Sequence, residues 1–206
     1  MKTLSHKLII FFFLLLALAQ AHASAPKTIL VFGDSLSAAY GLDERVGWPY
    51  LLQQRLKTEK LNWNIINLSI SGETSSGGLQ RFAKAFAKHK PELVFLELGA
   101  NDGLRGQSLK SMRNNLQKII TQSKDHHAEV IIAGMHIPSN YGKRYTQAFH
   151  NVFIELSESN DVVLIPFLLD GVVENDNLLL PDRIHPNAEG QKIVLRNVWK
   201  YLKPLL

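Results

Sequence analysis

The 206-residue chain contains no cysteine. That absence excludes disulfides, thiolate metal sites, a cysteine nucleophile and a lipid anchored through a cysteine. There is no charge excess of the kind that marks nucleic-acid binders: the formal net charge is only +5, and no clustered basic face stands out. Gly, Pro and Ser do not gather into a linker, and no internal repeat or low-complexity stretch is present. Long apolar runs are lacking after the first 23 residues. The whole chain is 46% hydrophobic, 20% charged and 9% aromatic, which is the composition of a globular chain rather than a disordered or fibrous one.

The one long apolar run extends from Leu8 to Ala19, behind Lys2 and Lys7 and ahead of Ala21-His22-Ala23. A basic start, a short apolar stretch and an Ala-x-Ala site are the parts of a secretory signal peptide. Residues 1–23 are therefore expected to be a signal peptide and 24–206 a single domain. The run is shorter than the roughly 20 apolar residues a spanning helix needs, which leaves an uncleaved membrane anchor as the alternative; no other long apolar run follows, so no stable membrane insertion is expected after cleavage.

Five short segments lack polar–apolar alternation: Thr28–Phe32, Asn64–Leu68, Leu93–Leu98, Val130–Ala133 and Val162–Ile165. Continuous apolar runs suit strands covered on both faces, as in parallel sheets. Helical spacing lies between them, in Pro49–Thr58, in Leu79-Phe82-Ala83-Phe86-Ala87, in Leu109-Met112-Leu116-Ile119-Ile120 and in Tyr145-Ala148-Phe149-Val152-Leu156. A last helix is expected to start at Asn187, a good N-cap, and to run to about Leu202. Strand and helix alternating in this way predict an α/β fold: a three-layer α/β/α domain with a flavodoxin-like five-stranded parallel sheet. Ligands of open α/β sheets bind beyond the carboxyl ends of the strands, so chemistry is expected in the loops that follow them.

Those loops carry suggestive residues, each open to a plain structural reading. Gly33-Asp34-Ser35-Leu36-Ser37 places a serine at a strand end, where the glycine permits a tight turn. Asp34 and Ser35 equally suit a turn pair capping the next helix. No G-x-S-x-G elbow occurs in the chain. Gly72 offers either a backbone N–H near a ligand oxygen or an ordinary turn. Asn101, in Gly99-Ala100-Asn101-Asp102, offers a side-chain amide or a turn former. The loop Met135–Gly142 carries more apolar residues than a solvated turn needs. Among the histidines, His89, His126, His127, His136 and His150 lack a carboxylate in a suitable loop. His185 stands three residues after Asp182, and Pro186 biases it towards an extended backbone. The His126-His127 pair lacks an evident third ligand and no H-E-x-x-H pattern occurs, so metal catalysis is not indicated.

Taken together, the four ordered blocks resemble the SGNH, or GDSL, hydrolases: Gly33-Asp34-Ser35-Leu36-Ser37, Gly72, Gly99-Ala100-Asn101-Asp102 and Asp182-Arg183-Ile184-His185-Pro186. Trp48-Pro49, Ser69-Ile70-Ser71-Gly72, Asn101–Gly106 and Asn140-Tyr141-Gly142 extend the likeness to the bacterial branch of multifunctional thioesterases, arylesterases and lysophospholipases. Ala100, Glu73 and Arg183 depart from the usual pattern, which leaves substrate choice the least defined property. The resemblance implies Ser35 as nucleophile, His185 as general base and Asp182 as its orienting acid. It implies an oxyanion hole from the N–H of Ser35, the N–H of Gly72 and the side chain of Asn101, with no metal or cofactor. Substrate contacts are expected from Ile137, Pro138, Tyr141 and Ile184. It further implies a periplasmic or secreted enzyme acting on small acyl esters or thioesters, with no nucleic-acid partner; a monomer is expected because nothing in the chain demands a second subunit. A carbohydrate O-deacetylase of the same family and a catalytically silent acyl-binding module are the alternatives.

The chemistry fits these residue types. A serine hydroxyl is a weak nucleophile until a base takes its proton. An imidazole, ordinarily titrating at about pH 6.5, suits that task. A carboxylate fixes the tautomer and stabilises the imidazolium, and prearranged N–H donors meet the charge on the tetrahedral oxygen.

Overall fold

The computed structural model describes residues 25–206, so the expected signal peptide lies outside the described residues. Strands β1 (Lys27–Gly33), β2 (Trp63–Asn67), β3 (Leu93–Glu97), β4 (Glu129–Ala133) and β5 (Val163–Ile165) match the five apolar segments to within two residues at each end. All neighbours run parallel, in the order β2-β1-β3-β4-β5. This is the flavodoxin-like order. The reason the strands lack alternation is visible in their burial: Ile29, Leu30, Val31 and Phe32 are all fully buried, as are Leu93, Val94 and Leu96. Both faces of the sheet are covered, so every position is selected for apolar volume.

The covering helices are α1 (Trp48–Thr58), α2 (Ser75–His89), the one-turn α3 (Ala100–Leu104), α4 (Leu109–Asp125), α5 (Lys143–Asn160) and α6 (Ala188–Leu202). Helix α1 packs on α6, while α2, α4 and α5 pack side by side as a second layer. Their buried positions follow the spacing read from sequence: Phe82 and Phe86 on α2, Met112, Leu116, Ile119 and Ile120 on α4, and Phe149, Val152, Phe153 and Leu156 on α5. Among the described residues, no helix is long and apolar enough to cross a membrane.

Helix boundaries follow local chemistry. Proline stands in the first turn of α1, where its missing N–H costs nothing. Thr74 and Ser108 cap α2 and α4 with their hydroxyls. Asn187 Oδ1 accepts from the N–H groups of Glu189 and Gly190 at the start of α6, and its Nδ2 donates to Asn177 O and Leu179 O. Asn187→Ala is expected to destabilise the fold by about 1–2 kcal/mol, lowering Tm in a thermal melt by roughly 2–8 °C.

Of the open readings of Asp34, helix capping is not what the structure shows: turns and a short 3-10 helix follow β1, and the next α-helix starts at Trp48. Residues Ala100–Leu104, read as turn formers, make the short helix α3 behind Gly99, whose φ of 116° is a conformation that suits glycine.

Candidate active site

The strand order reverses at β1, which lies between β2 and β3. A crevice opens at such a reversal, and the loops leaving β1, β2 and β3 meet there. They are tied to one another. The Ile70 N–H donates to Gly33 O at 3.0 Å, and Asn67 Nδ2 donates to Ser37 O at 2.8 Å. Asp102, 2% exposed, accepts from the N–H of Ser75 at 2.8 Å and from its hydroxyl at 2.6 Å, which locks α3 to the start of α2.

The fourth loop arrives from the far end of the chain. Residues 181–185 are closed off by a brace in which the Leu180 N–H donates to His185 O at 2.7 Å and the Asn187 N–H donates to Leu178 O at 2.8 Å. Within this turn, Asp182 Oδ1 accepts from the N–H groups of Ile184 and His185, both at 3.0 Å. Asp182 Oδ2 lies 2.7 Å from His185 Nδ1. Partial burial works against ionisation of Asp182, but the two N–H donors and the imidazole outweigh it and hold the carboxyl below its ordinary range. Arg183 occupies the left-handed region at φ 58° and pairs with Asp176 on the surface at 2.7 Å.

His185 Nε2 lies 2.8 Å from Ser35 Oγ, across 150 residues of sequence. With Nδ1–H donated to an ionised Asp182, the Nε2 lone pair faces the serine hydroxyl. This is the orientation a base needs to take that proton. The Tyr40 ring packs over the imidazole with centroids 4.4 Å apart.

Beside Ser35, the Asn101 amide is held at both ends. Its Nδ2 donates to Asp34 Oδ2 at 2.9 Å, and its Oδ1 accepts from Arg105 at 3.4 Å. The same Arg105 nitrogen donates to Gly72 O at 3.0 Å, joining two of the residues named from sequence. Gly72 has φ 78°, a backbone angle that side-chain-bearing residues seldom adopt. Among the described residues, neither the Ser35 N–H nor the Gly72 N–H donates to a protein acceptor.

A cavity of about 530 Å³ extends from Ser35, Gly72, Asn101 and His185. Its far walls are chiefly apolar and include Leu104, Met135, Ile137, Pro138, Phe167 and Ile184. Three of the expected substrate contacts thus line it, Ile137, Pro138 and Ile184. Tyr141 stands outside this lining: its hydroxyl donates to Leu104 O at 2.8 Å and braces the loop. A second cavity, of about 510 Å³, opens between α2 and α4 at Phe86 and His126 and contains none of these residues.

Two acids in the site escaped the sequence reading in this role. Asp34 also suits a plain turn in the sequence, yet it is 1% exposed; its Oδ1 accepts from the Leu36 N–H and its Oδ2 accepts from Asn101. Glu97 sits at the end of β3 and is 0% exposed. A single acid inside the run LVFLEL was the signal available. Burial, together with the neighbouring Asp34, pushes the Glu97 carboxyl well above its ordinary range. Burial also pushes Asp34 up, to about 6. Glu97 explains Gly33 as well: a Cβ there would lie 2.5 Å from Glu97 Oε2, so the glycine is required by this close approach.

Residues 31–193 match the GDSL-like Lipase/Acylhydrolase family. The chain is 44% identical over 183 residues to Esterase TesA of Pseudomonas aeruginosa, an alignment covering 89% of this chain and 91% of that protein. It is 37% identical over 194 residues to Thioesterase 1/protease 1/lysophospholipase L1 of Escherichia coli K12, covering 94% and 92%. Among solved structures, the psychrotrophic esterase EstA from Pseudoalteromonas sp., in a form inhibited by monoethylphosphonate, superposes with a TM-score of 0.84 at 38% identity, covering 87% of this chain and 98% of that one. On this evidence of sequence, fold and relatives, the chain belongs to the GDSL-like lipase/acylhydrolase family and is an ester-bond hydrolase of it.

Proposed function

We propose that this enzyme is exported and cleaves carboxylic esters and thioesters of acyl chains, lysophospholipids among them, through an acyl-enzyme on Ser35. The single observation that carries this reading is the continuous contact from Asp182 through His185 to Ser35, with hydrogen-bonding distances of 2.7 and 2.8 Å, at the mouth of a chiefly apolar cavity.

In this mechanism the acyl chain lies along Ile137, Pro138 and Ile184, and the carbonyl carbon meets Ser35 Oγ. His185 Nε2 takes the hydroxyl proton as Oγ attacks. Negative charge develops on the carbonyl oxygen, where the N–H groups of Ser35 and Gly72 and the Asn101 amide receive it without reorganising. Asp182 stabilises the imidazolium. His185 then passes the proton to the departing alkoxide or thiolate, and the acyl group remains on Ser35. Water, activated by the same imidazole, attacks the acyl-enzyme and releases the acid.

Export is supported by the basic start, apolar stretch and Ala21-x-Ala23 site of residues 1–23. The apolar walls favour acyl chains over the polar rings of acetylated sugars. The test is a substrate panel run on protein recovered from the periplasmic fraction, with its N-terminus expected at Ser24. Hydrolysis of p-nitrophenyl esters, acyl thioesters and lysophospholipids should exceed that of acetylated sugars. Preference for the sugars would point to the deacetylase alternative, and binding without turnover to the silent module; either overturns the reading, and a retained N-terminal segment overturns export.

A further inference from the structure

Glu97 is the most deeply buried acid near the site, and the mechanism above does not use it. It is fully enclosed at the end of β3. Its Oε2 accepts two hydrogen bonds, from the Asp34 N–H at 3.1 Å and from the Ser37 hydroxyl at 2.8 Å. Its Oε1 is equally buried, yet no donor among the described residues points at it. An ionised carboxylate with one oxygen bare of donors in such a place is strongly disfavoured. A carboxylic acid is not, because its second oxygen is a donor. An acceptor is at hand in Asp34, whose own N–H already binds Glu97 Oε2 at 3.1 Å, and the charge of either carboxyl opposes ionisation of the other.

The other side of Asp34 is what gives the pair a role. Asp34 Oδ2 accepts from Asn101 Nδ2 at 2.9 Å. One amide hydrogen is committed there, and the planar group then directs the other in a fixed direction beside Ser35. We propose that Glu97 is a positioning residue for ester cleavage: it carries a proton, donates that hydrogen bond to Asp34, and so holds Asp34 as the acceptor that orients the Asn101 amide towards the reacting carbonyl. The inference rests on the reading in which Asn101 serves the oxyanion.

The arrangement predicts a pattern among substitutions. Glu97→Leu removes the proton donor while keeping apolar volume. Asp34 then loses a partner and the Asn101 amide loses its fixed direction. Because misplacement of a catalytic group by about 1 Å costs up to about 10²-fold, kcat should fall between about 10- and 100-fold with KM changed less than about 2-fold. Glu97→Gln keeps both halves of the function, with its carbonyl accepting from Asp34 N–H and Ser37 and its amide donating to Asp34. It should restore kcat to within about 3-fold of the wild type. If Glu97→Leu does not fold, Glu97→Asp replaces it; one methylene shorter, it cannot reach Asp34 and should show the same loss.

The proton itself has a separate readout. The titratable groups facing the pair are each other and, across Asp34, His185. An acid whose pKa is raised on folding stabilises the fold fully below its unfolded pKa, and that contribution is lost as pH rises through the folded value. Glu97→Gln has no proton to lose there. Its Tm relative to wild type should therefore climb by about 3 °C or more between pH 4.5 and pH 8.

Kinetics of these variants and of Asn101→Ala on one p-nitrophenyl ester, with melts across that pH range, decide the matter. Wild-type kcat in Glu97→Leu, a raised KM with unchanged kcat, Glu97→Gln as impaired as Glu97→Leu, or a Tm difference flat with pH would each overturn the proposal. Undiminished kcat in Asn101→Ala would instead remove the oxyanion reading on which it rests.

Discussion

Ser35→Ala is expected to lower turnover of an acyl ester by at least about 10⁴-fold while leaving the melting curve near that of the wild type. The size follows from the role proposed for Ser35: in that mechanism, without Oγ no acyl-enzyme forms, and His185 has no hydroxyl to deprotonate. What remains is water attack on a bound ester, assisted by the amide donors alone. Ser35 is partly exposed at the strand end, and its hydroxyl makes one side-chain contact, with His185 Nε2. Losing it leaves no buried polar group stranded, which is why stability should hold. His185→Ala should fall about as far, because groups acting as one unit are not additive: the Ser35→Ala/His185→Ala pair should be scarcely worse than either single variant. Stopped-flow release of p-nitrophenol checks this, since wild type should show acyl transfer to the enzyme and Ser35→Ala none.

Asn101→Ala should cost about 10²–10³ in kcat. In the proposed mechanism the amide meets charge that exists only once the carbonyl carbon has become tetrahedral, so kcat and kcat/KM should fall together while KM moves little. Asn101→Asp should be at least as harmful. It would set a carboxylate against Asp34, whose Oδ2 now receives the amide N–H, and would turn an acceptor towards an oxyanion. Steady-state kinetics on one ester separates the expected outcome from a binding role, which would raise KM at constant kcat.

How much of this was legible from the chain follows from where each constraint originates. The strands were legible because both faces are buried and each position carries its own apolar signal, as in Ile29–Phe32. The loop of Asp182 and His185 was legible because the pair is local, three residues apart, and its geometry is set by backbone N–H groups within the same turn. The contact between Ser35 and His185 spans most of the chain; only the family motifs and the rule about strand ends point to it in the sequence. Helix α3 is not legible in the sequence, because glycine, asparagine and aspartate favour turns. What winds them into a helix is tertiary: the bonds from Ser75 to Asp102 and the backbone angle of Gly99.

The carboxyl pair was hidden for a related reason. Glu97 and Asp34 are 63 residues apart and meet only because β1 and β3 are neighbours with Gly33 opposite Glu97. Gly33 was read for its freedom to turn, whereas the structure needs it for the space its missing side chain leaves to Glu97. Tyr141, expected among the substrate contacts, stands outside the cavity lining, and its hydroxyl donates to Leu104 O. Glu73, a departure from the family pattern, pairs through its carboxylate with Arg81 at 2.7 Å.

The most direct measurement is peptide mass spectrometry after exposure of the active enzyme to an organofluorophosphonate. The account predicts one adduct, on Ser35, forming in step with loss of esterase activity and nearly absent from His185→Ala. An adduct on another residue in protein that loses activity, or full inactivation with Ser35 unmodified, would contradict it.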